Sequence, residues 1–131
     1  MKTDTTNLLL GKRILVVEDT DSNFGLIKYT LSHTGLSIDR ALNGEQALQM
    51  ISGKNVYNLI IMDLRLPGMD GYNVTRKIRE IDQNIPIIAN TAQVVDGEKE
   101  RALKNGCNAY LPKPTDQTIF VETIVNYILN S

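Results

Sequence analysis

The segment Asn58-Leu-Ile-Ile-Met-Asp-Leu-Arg-Leu-Pro-Gly-Met-Asp-Gly71 carries four apolar residues into a single aspartate, Asp63, and then into a loop stiffened by Pro67, Gly68 and Gly71. An unbroken apolar run of this length is the texture of a strand buried on both faces, as central strands of parallel sheets are. A carboxylate at the end of such a strand needs a reason.

Working outward, four more short runs flank it: "RILVVE" (13–18), "LSIDRA" (36–41), "PIIAN" (86–90) and "AYLP" (109–112). Segments of helical period lie between them, near 20–34, 44–52, 71–82, 92–105 and 115–130. The three-to-four spacing of Val74, Ile78 and Ile81 marks a buried stripe on the third of these helices. Gly35, Gly53 and Gly106 stand where three helices should stop, in the position of left-handed caps. Strands that alternate with helices form βαβ units with right-handed crossovers, hence a parallel sheet covered on both faces. "ILVV" and "LIIM" are continuously apolar and belong in the middle, whereas "LSIDR" alternates and reads as a half-exposed edge. The expectation is an α/β fold: a flavodoxin-like, doubly wound, five-stranded parallel sheet in the order 2-1-3-4-5 with five helices.

A chain of 131 residues with 42% hydrophobic and 22% charged composition fits one domain. Its formal charge of −1 creates no field that would gather nucleic acid or an acidic membrane, so no direct nucleic-acid partner is expected. One cysteine, Cys107, excludes an internal disulfide. No apolar run approaches the roughly 18 residues that a membrane span needs, and "MKTDTTNLLLGK" lacks the features of a signal peptide. These observations predict a cytoplasmic protein without membrane insertion, with residues 1–11 as a lead or linker and 12–131 as the domain.

In the order 2-1-3-4-5, ligands bind beyond the carboxyl ends of strands one and three, where the winding reverses. Glu18 and Asp19 close the first strand and Asp63 the third, so three carboxylates should converge there. Two such charges about 5 Å apart repel by roughly 3 kcal/mol at an effective dielectric near 20. A hard divalent cation with oxygen ligands relieves that repulsion, and Mg²⁺ suits the site because it needs few carboxylates and leaves coordination for a phosphate. The other strand ends supply Thr91, a hydroxyl donor, Ala92, small enough to leave room for a ligand oxygen, and Lys113, an ammonium held between two prolines. Cation, lysine and hydroxyl together would stabilise a transferring phosphoryl group, with Asp63 as its acceptor.

"ILVVED", "MDLRLPGMDG", "IIANTA" and "AYLPKP", in this order and at these separations, resemble the receiver domain of two-component response regulators over roughly Lys12 to Asn130. The resemblance implies a signalling switch, not a turnover enzyme. Asp63 would accept a phosphoryl group from the histidine of a sensor kinase or histidine phosphotransfer protein. Asp19, Asp63 and the backbone carbonyl of Arg65 would ligate Mg²⁺, with Glu18 acting through water. Thr91 and Lys113 would contact the phosphate, and the Lys113–Pro114 peptide would be cis. Tyr110 matches the aromatic switch that turns inward as Thr91 moves toward the phosphate, altering the face of helix four, strand five and helix five toward a downstream protein partner. Arg65 and Gln93 occupy the variable positions that tune phosphate lifetime, and Asn90 replaces a more usual apolar or small residue. The lead also resembles the junction where a receiver follows the catalytic core of a hybrid kinase.

Each residue has a plainer alternative. Asp19 could cap the first helix, Thr91 could be a turn residue, Tyr110 could be edge packing, and Lys113 could be simple surface. His33 reads as a partner of a helix C-terminus, Cys107 as a small buried apolar residue, and "RKIRE" (76–80) as a solvated helix face. Asp19-x-Asp21 also resembles the nucleophile motif of haloacid-dehalogenase-type phosphatases, although no late acidic pair follows Lys113. An interaction module without phosphorylation is the third reading. Dinucleotide binding is disfavoured, because no G-x-G-x-x-G follows the first strand.

Overall fold

The computed structural model describes residues 4–92 and 95–130. Gln93, one of the two variable positions named above, lies outside the described residues. The strands are β1 (Arg13–Val17), β2 (Ser37–Ala41), β3 (Leu59–Met62), β4 (Ile87–Thr91) and β5 (Ala109–Pro112). The helices between and after them are α1 (Asp21–Leu31), α2 (Gly44–Ile51), α3 (Gly71–Ile81), α4 (Glu98–Lys104) and α5 (Gln117–Leu129). All strand pairs are parallel and their order is β2-β1-β3-β4-β5, as the run textures require.

The period of two along each strand divides the core into two layers. Leu15, Val17, Ile60, Met62, Ile87 and Ala89 face one side, where Ala47 of α2, Tyr72, Val74 and Ile78 of α3, and Ala102 of α4 cover them. Ile14, Val16, Leu59, Ile61 and Ile88 face the other, against Ile27 and Leu31 of α1 and Phe120, Val121, Ile124 and Ile128 of α5. Every residue of β3 and β4 is buried, whereas β2 at the edge is mostly half-buried. Side-chain caps start three of the helices. Asn43, Asp70 and Asp116 accept the amides of Gln46, Asn73 and Thr118 at 2.9 Å, each satisfying a donor with no partner inside its helix.

Several details differ from the sequence reading. The fourth helix starts at Glu98, not near 92, because Gly97 adopts φ 81° and breaks any continuous helix from Thr91. Ile81, the last residue of α3, is exposed, so the buried stripe on that helix ends at Ile78. Gly35 and Gly106 do take positive φ after their helices, but Gly53 does not; Ser52, in right-handed geometry, closes α2. "RKIRE" is only partly a solvated face. Arg79 turns back from α3 and donates to the carbonyls of Asp82, Ile85 and Gly106 and to Asn108 Oδ1. His33 lies in a 3₁₀ turn (Ser32–Thr34) and shares a 2.6 Å hydrogen bond with the Thr5 hydroxyl. The lead is docked on that turn: the amides of Asn7 and Leu9 donate to His33 and Thr34 carbonyls, and the Leu9 side chain is fully buried in the α1/α5 layer.

Candidate functional site

The carboxyl ends of β1 and β3 stand side by side because Val17 and Met62 are register partners, so the residues after them share one rim. Carboxylate oxygens of Glu18, Asp19 and Asp63 lie within 4.8 Å of one another. Glu18 and Asp63 are buried, while Asp19 is exposed. Asp19 is not a helix cap: Thr20 holds that position, and the Thr20 amide donates to Glu18 Oε2 at 3.2 Å. Asp21 points elsewhere and pairs with Arg40 at 2.8 Å, which removes it from the acidic group and leaves the Asp-x-Asp phosphatase motif without its second member.

The loop after Asp63 is built to hold that residue still. The Arg65 amide donates to Asp63 Oδ1 at 2.9 Å. Gly71, first residue of α3, backs directly onto it, since a Cβ there would stand 2.5 Å from the Asp63 carbonyl oxygen and 2.7 Å from Leu64 Cα. Only a glycine lets the helix begin that close. Lys113 reaches in from the end of β5, forming an ion pair with Glu18 and lying 3.7 Å from Asp63 Oδ2. The Lys113–Pro114 peptide is cis, as the resemblance implied.

The electrostatics refine the sequence argument. The Asp63 carboxyl is pushed up from 3.8 to about 6, and burial is the leading cause. The charge of Glu18 adds to the rise, while the Arg65 amide and Lys113 oppose it. Like-charge repulsion is therefore real but second to desolvation, and Lys113 offsets part of it.

Thr91 ends β4 at the same rim. It is fully buried, and its Oγ1 has no hydrogen-bond partner among the described residues, a state that normally costs free energy unless a ligand oxygen completes it. Ala92 follows and is exposed. Asn90 points away from this rim's acids: its amide donates to the Leu111 carbonyl at 2.8 Å and ties β4 to β5. Tyr110 packs against the α2/α3 layer, and its hydroxyl donates to Glu98 Oε1 at 3.0 Å. Burial and the Glu98 carboxylate push the Tyr110 phenol up to about 12. Glu98 was not singled out from the sequence, nor was its ion pair with the Arg65 guanidinium at 2.5 Å. An Asp-Gly pair before an acid at a helix start was the available signal for the helix boundary; nothing local pointed to partners 33 and 12 residues away.

The donor set fits a hard divalent cation: oxygen ligands only, an exposed carboxylate free of helix capping, and an orphaned hydroxyl on the far side of the same rim. Oxygen chemistry, not nitrogen or sulfur, defines it.

Fold and rim together define a doubly wound α/β domain with an acidic pocket that could hold a metal ion, and the comparisons specify the family. A family model for the response regulator receiver domain matches residues 14–125, and the chain belongs to that family. It is 35% identical over 121 residues to the polar-differentiation response regulator DivK of Brucella anthropi, covering 91% of this chain and 98% of that one. It is also 38% identical over 124 residues to hybrid signal transduction histidine kinase I of Dictyostelium discoideum, spanning 88% of this chain but 7% of that much longer protein. Among solved structures, a response regulator of Chloroflexus aurantiacus superposes with TM-score 0.84 at 32% identity, covering 90% of this chain and 98% of the other. The receiver domain of a Pseudomonas aeruginosa sensor histidine kinase superposes with TM-score 0.81 at 36% identity, covering 92% and 99%, and that structure has a magnesium ion coordinated in its active-site cleft. No described helix is long and apolar enough to cross a membrane.

Proposed function

We propose that this receiver domain is a phosphorylation switch in which Asp63 accepts a phosphoryl group from a phosphohistidine. The observation that carries the reading is the convergence at one rim of the buried Asp63, the Lys113 ammonium and the partnerless Thr91 hydroxyl. Asp63 Oδ2 attacks phosphorus, the new O–P bond forms as the N–P bond of the donor histidine breaks, and the electron pair returns to the imidazole. Lys113 shifts from Glu18 toward the phosphoryl oxygens, and Thr91 donates its hydroxyl to one of them, with Ala92 leaving the space open. Asp19, Asp63 and the Arg65 carbonyl would hold Mg²⁺, with Glu18 acting through a water. The cation would supply neutralisation of charge on the transferring oxygens.

Beside Lys113 a groove of about 580 Å³ runs between α1 and the start of α5, lined in part by Leu26, Ile27, Pro114 and Phe120. Its apolar lining suits a helix of a histidine kinase or phosphotransfer protein that presents its histidine at Asp63. Downstream, the α4-β5-α5 face responds through Thr91 and Tyr110 and meets a protein partner.

Mass spectrometry after acetyl phosphate treatment tests the chemistry. One phosphoryl adduct per chain is expected with Mg²⁺ and none in EDTA, mapping to Asp63 and absent from Asp63→Asn. Repeated turnover without an adduct would instead favour a phosphatase, and no Mg²⁺-dependent labelling would favour a pure interaction module.

A further inference from the structure

Glu98, the first residue of α4, is a buried carboxylate outside the acidic cluster. Its two oxygens are spent on two distant elements: Oε2 accepts from the Arg65 guanidinium at 2.5 Å, and Oε1 accepts from the Tyr110 hydroxyl at 3.0 Å. Charge-assisted bonds of this kind are what make a buried acid tolerable. Arg65 belongs to the loop that holds Asp63, since its amide donates to Asp63 Oδ1. Tyr110 belongs to β5 and packs against the α2/α3 layer.

A second contact closes the same corner. The Arg101 guanidinium stacks 3.9 Å above the Tyr72 ring, one turn along from Glu98 on α4. Among the described residues between Thr91 and Glu98, Ala92 and Val95 to Gly97 are exposed and offer no comparable link. Within α4 itself only Glu98 and Ala102 are buried. Among the described residues, the attachment of α4 to the loop after Asp63 runs through the Glu98–Arg65 pair. Gly97 provides no side-chain cap either, so Glu98 is not duplicating a capping interaction.

We propose that Glu98 is a positioning residue that joins the Asp63 loop to Tyr110, so that occupancy of the site is carried to Tyr110 through Arg65 and Glu98 as well as through the Thr91 hydroxyl. The inference rests on the reading of Asp63 as phosphoacceptor. Any rearrangement of the Arg65 backbone on loading of the site displaces its guanidinium, whose side chain is 45% exposed and can pass into water. Glu98 is then left buried beside the Tyr110 and Tyr72 hydroxyls, and a shift of its carboxylate carries the Tyr110 phenol with it.

The test is ¹⁹F NMR of the full chain labelled with 3-fluorotyrosine, with Tyr110 assigned by Tyr110→Phe and with Mg²⁺ and beryllofluoride added as phosphoryl mimic. In the unsubstituted protein the Tyr110 resonance is expected to move on loading while Tyr57, at the opposite rim, stays still. In Glu98→Gln the adduct's own fluoride resonance is expected to persist while the Tyr110 displacement falls to a third or less. The Tyr110 resonance of this variant should also differ from that of the unsubstituted protein in EDTA, before any loading. Should Glu98→Gln fail to fold, Arg65→Gln tests the link from its exposed end with the same expected loss. An unchanged Tyr110 response in the folded variants overturns the inference, as does an adduct that leaves Tyr110 unmoved in the unsubstituted protein. Absence of any adduct resonance there overturns the phosphoacceptor reading itself, and the inference with it.

Discussion

The two rims of the sheet handle polar groups in opposite ways. At the amino ends of the strands, charge is paired and carbonyls are covered. Arg79 makes five hydrogen bonds to the loops before β4 and β5. Arg13 and the Tyr57 hydroxyl both contact Asp39, at 2.9 and 2.7 Å. At the carboxyl ends, three acids cluster and two of them, Glu18 and Asp63, share one lysine, a buried hydroxyl has no partner among the described residues, and the Asp63 carboxyl is lifted toward neutrality by burial. One rim serves stability. The other keeps groups poorly satisfied that a cation and a phosphoryl group would complete, which is the arrangement expected of a functional site.

The contrast can be broken most forcefully at the satisfied rim. Arg79→Ala strips hydrogen bonds from several carbonyls at once and should lower unfolding free energy by about 3 kcal/mol, without preventing phosphoryl uptake at Asp63. Urea melts paired with the labelling assay check both halves; unchanged stability would contradict the clamp.

At the unsatisfied rim the sign reverses. Asp63→Asn in EDTA should raise stability at pH 8 by about 1–2 kcal/mol, because it removes a carboxylate whose ionisation the fold resists. The Asp63 carboxyl is raised in the folded state from 3.8 to about 6. The native state therefore binds the extra proton between those values, and this group's contribution to stability falls as pH rises through that window. The advantage of the variant should accordingly be close to zero below pH 4, grow up to about pH 6 and remain constant above it. Melts in EDTA across that range decide the matter, and a lower midpoint for the variant at pH 8 would contradict it.

The smallest effect sharpens the comparison at a half-exposed pair. Arg13→Met should cost less than about 1 kcal/mol, because the Arg13 side chain is 39% exposed and its bond to Asp39 is screened by water. Thermal melts that showed a loss as large as that of Arg79→Ala would erase the distinction between a buried clamp and a surface pair.

The architecture was legible because its signals are local. Continuous apolar texture identified β1 and β3, alternation identified β2 as an edge, and the acids at the ends of β1 and β3 met because doubly wound topology brings those ends together. The misses are tertiary or involve competing local signals. Spacing alone cannot say that Ile81 is exposed, or that Arg79 curls inward while Arg76 and Lys77 stay in water. The fourth helix was expected from near 92, but the Asp96-Gly97 turn delays its start to Glu98. Glu98 was not singled out, and the expected helix near 92–105 put it in mid-helix. Its engagement with Arg65 and Tyr110 depends on how α4 settles over β5, which no periodicity encodes.

Gly71 carries a consequence for anyone transplanting this chemistry. Its missing side chain is occupied space for the carbonyl of Asp63, so aspartate and glycine form one structural unit across seven intervening positions. Grafting the acids onto another doubly wound scaffold without that glycine would lever the Asp63 carboxylate off its mark before any ligand arrived.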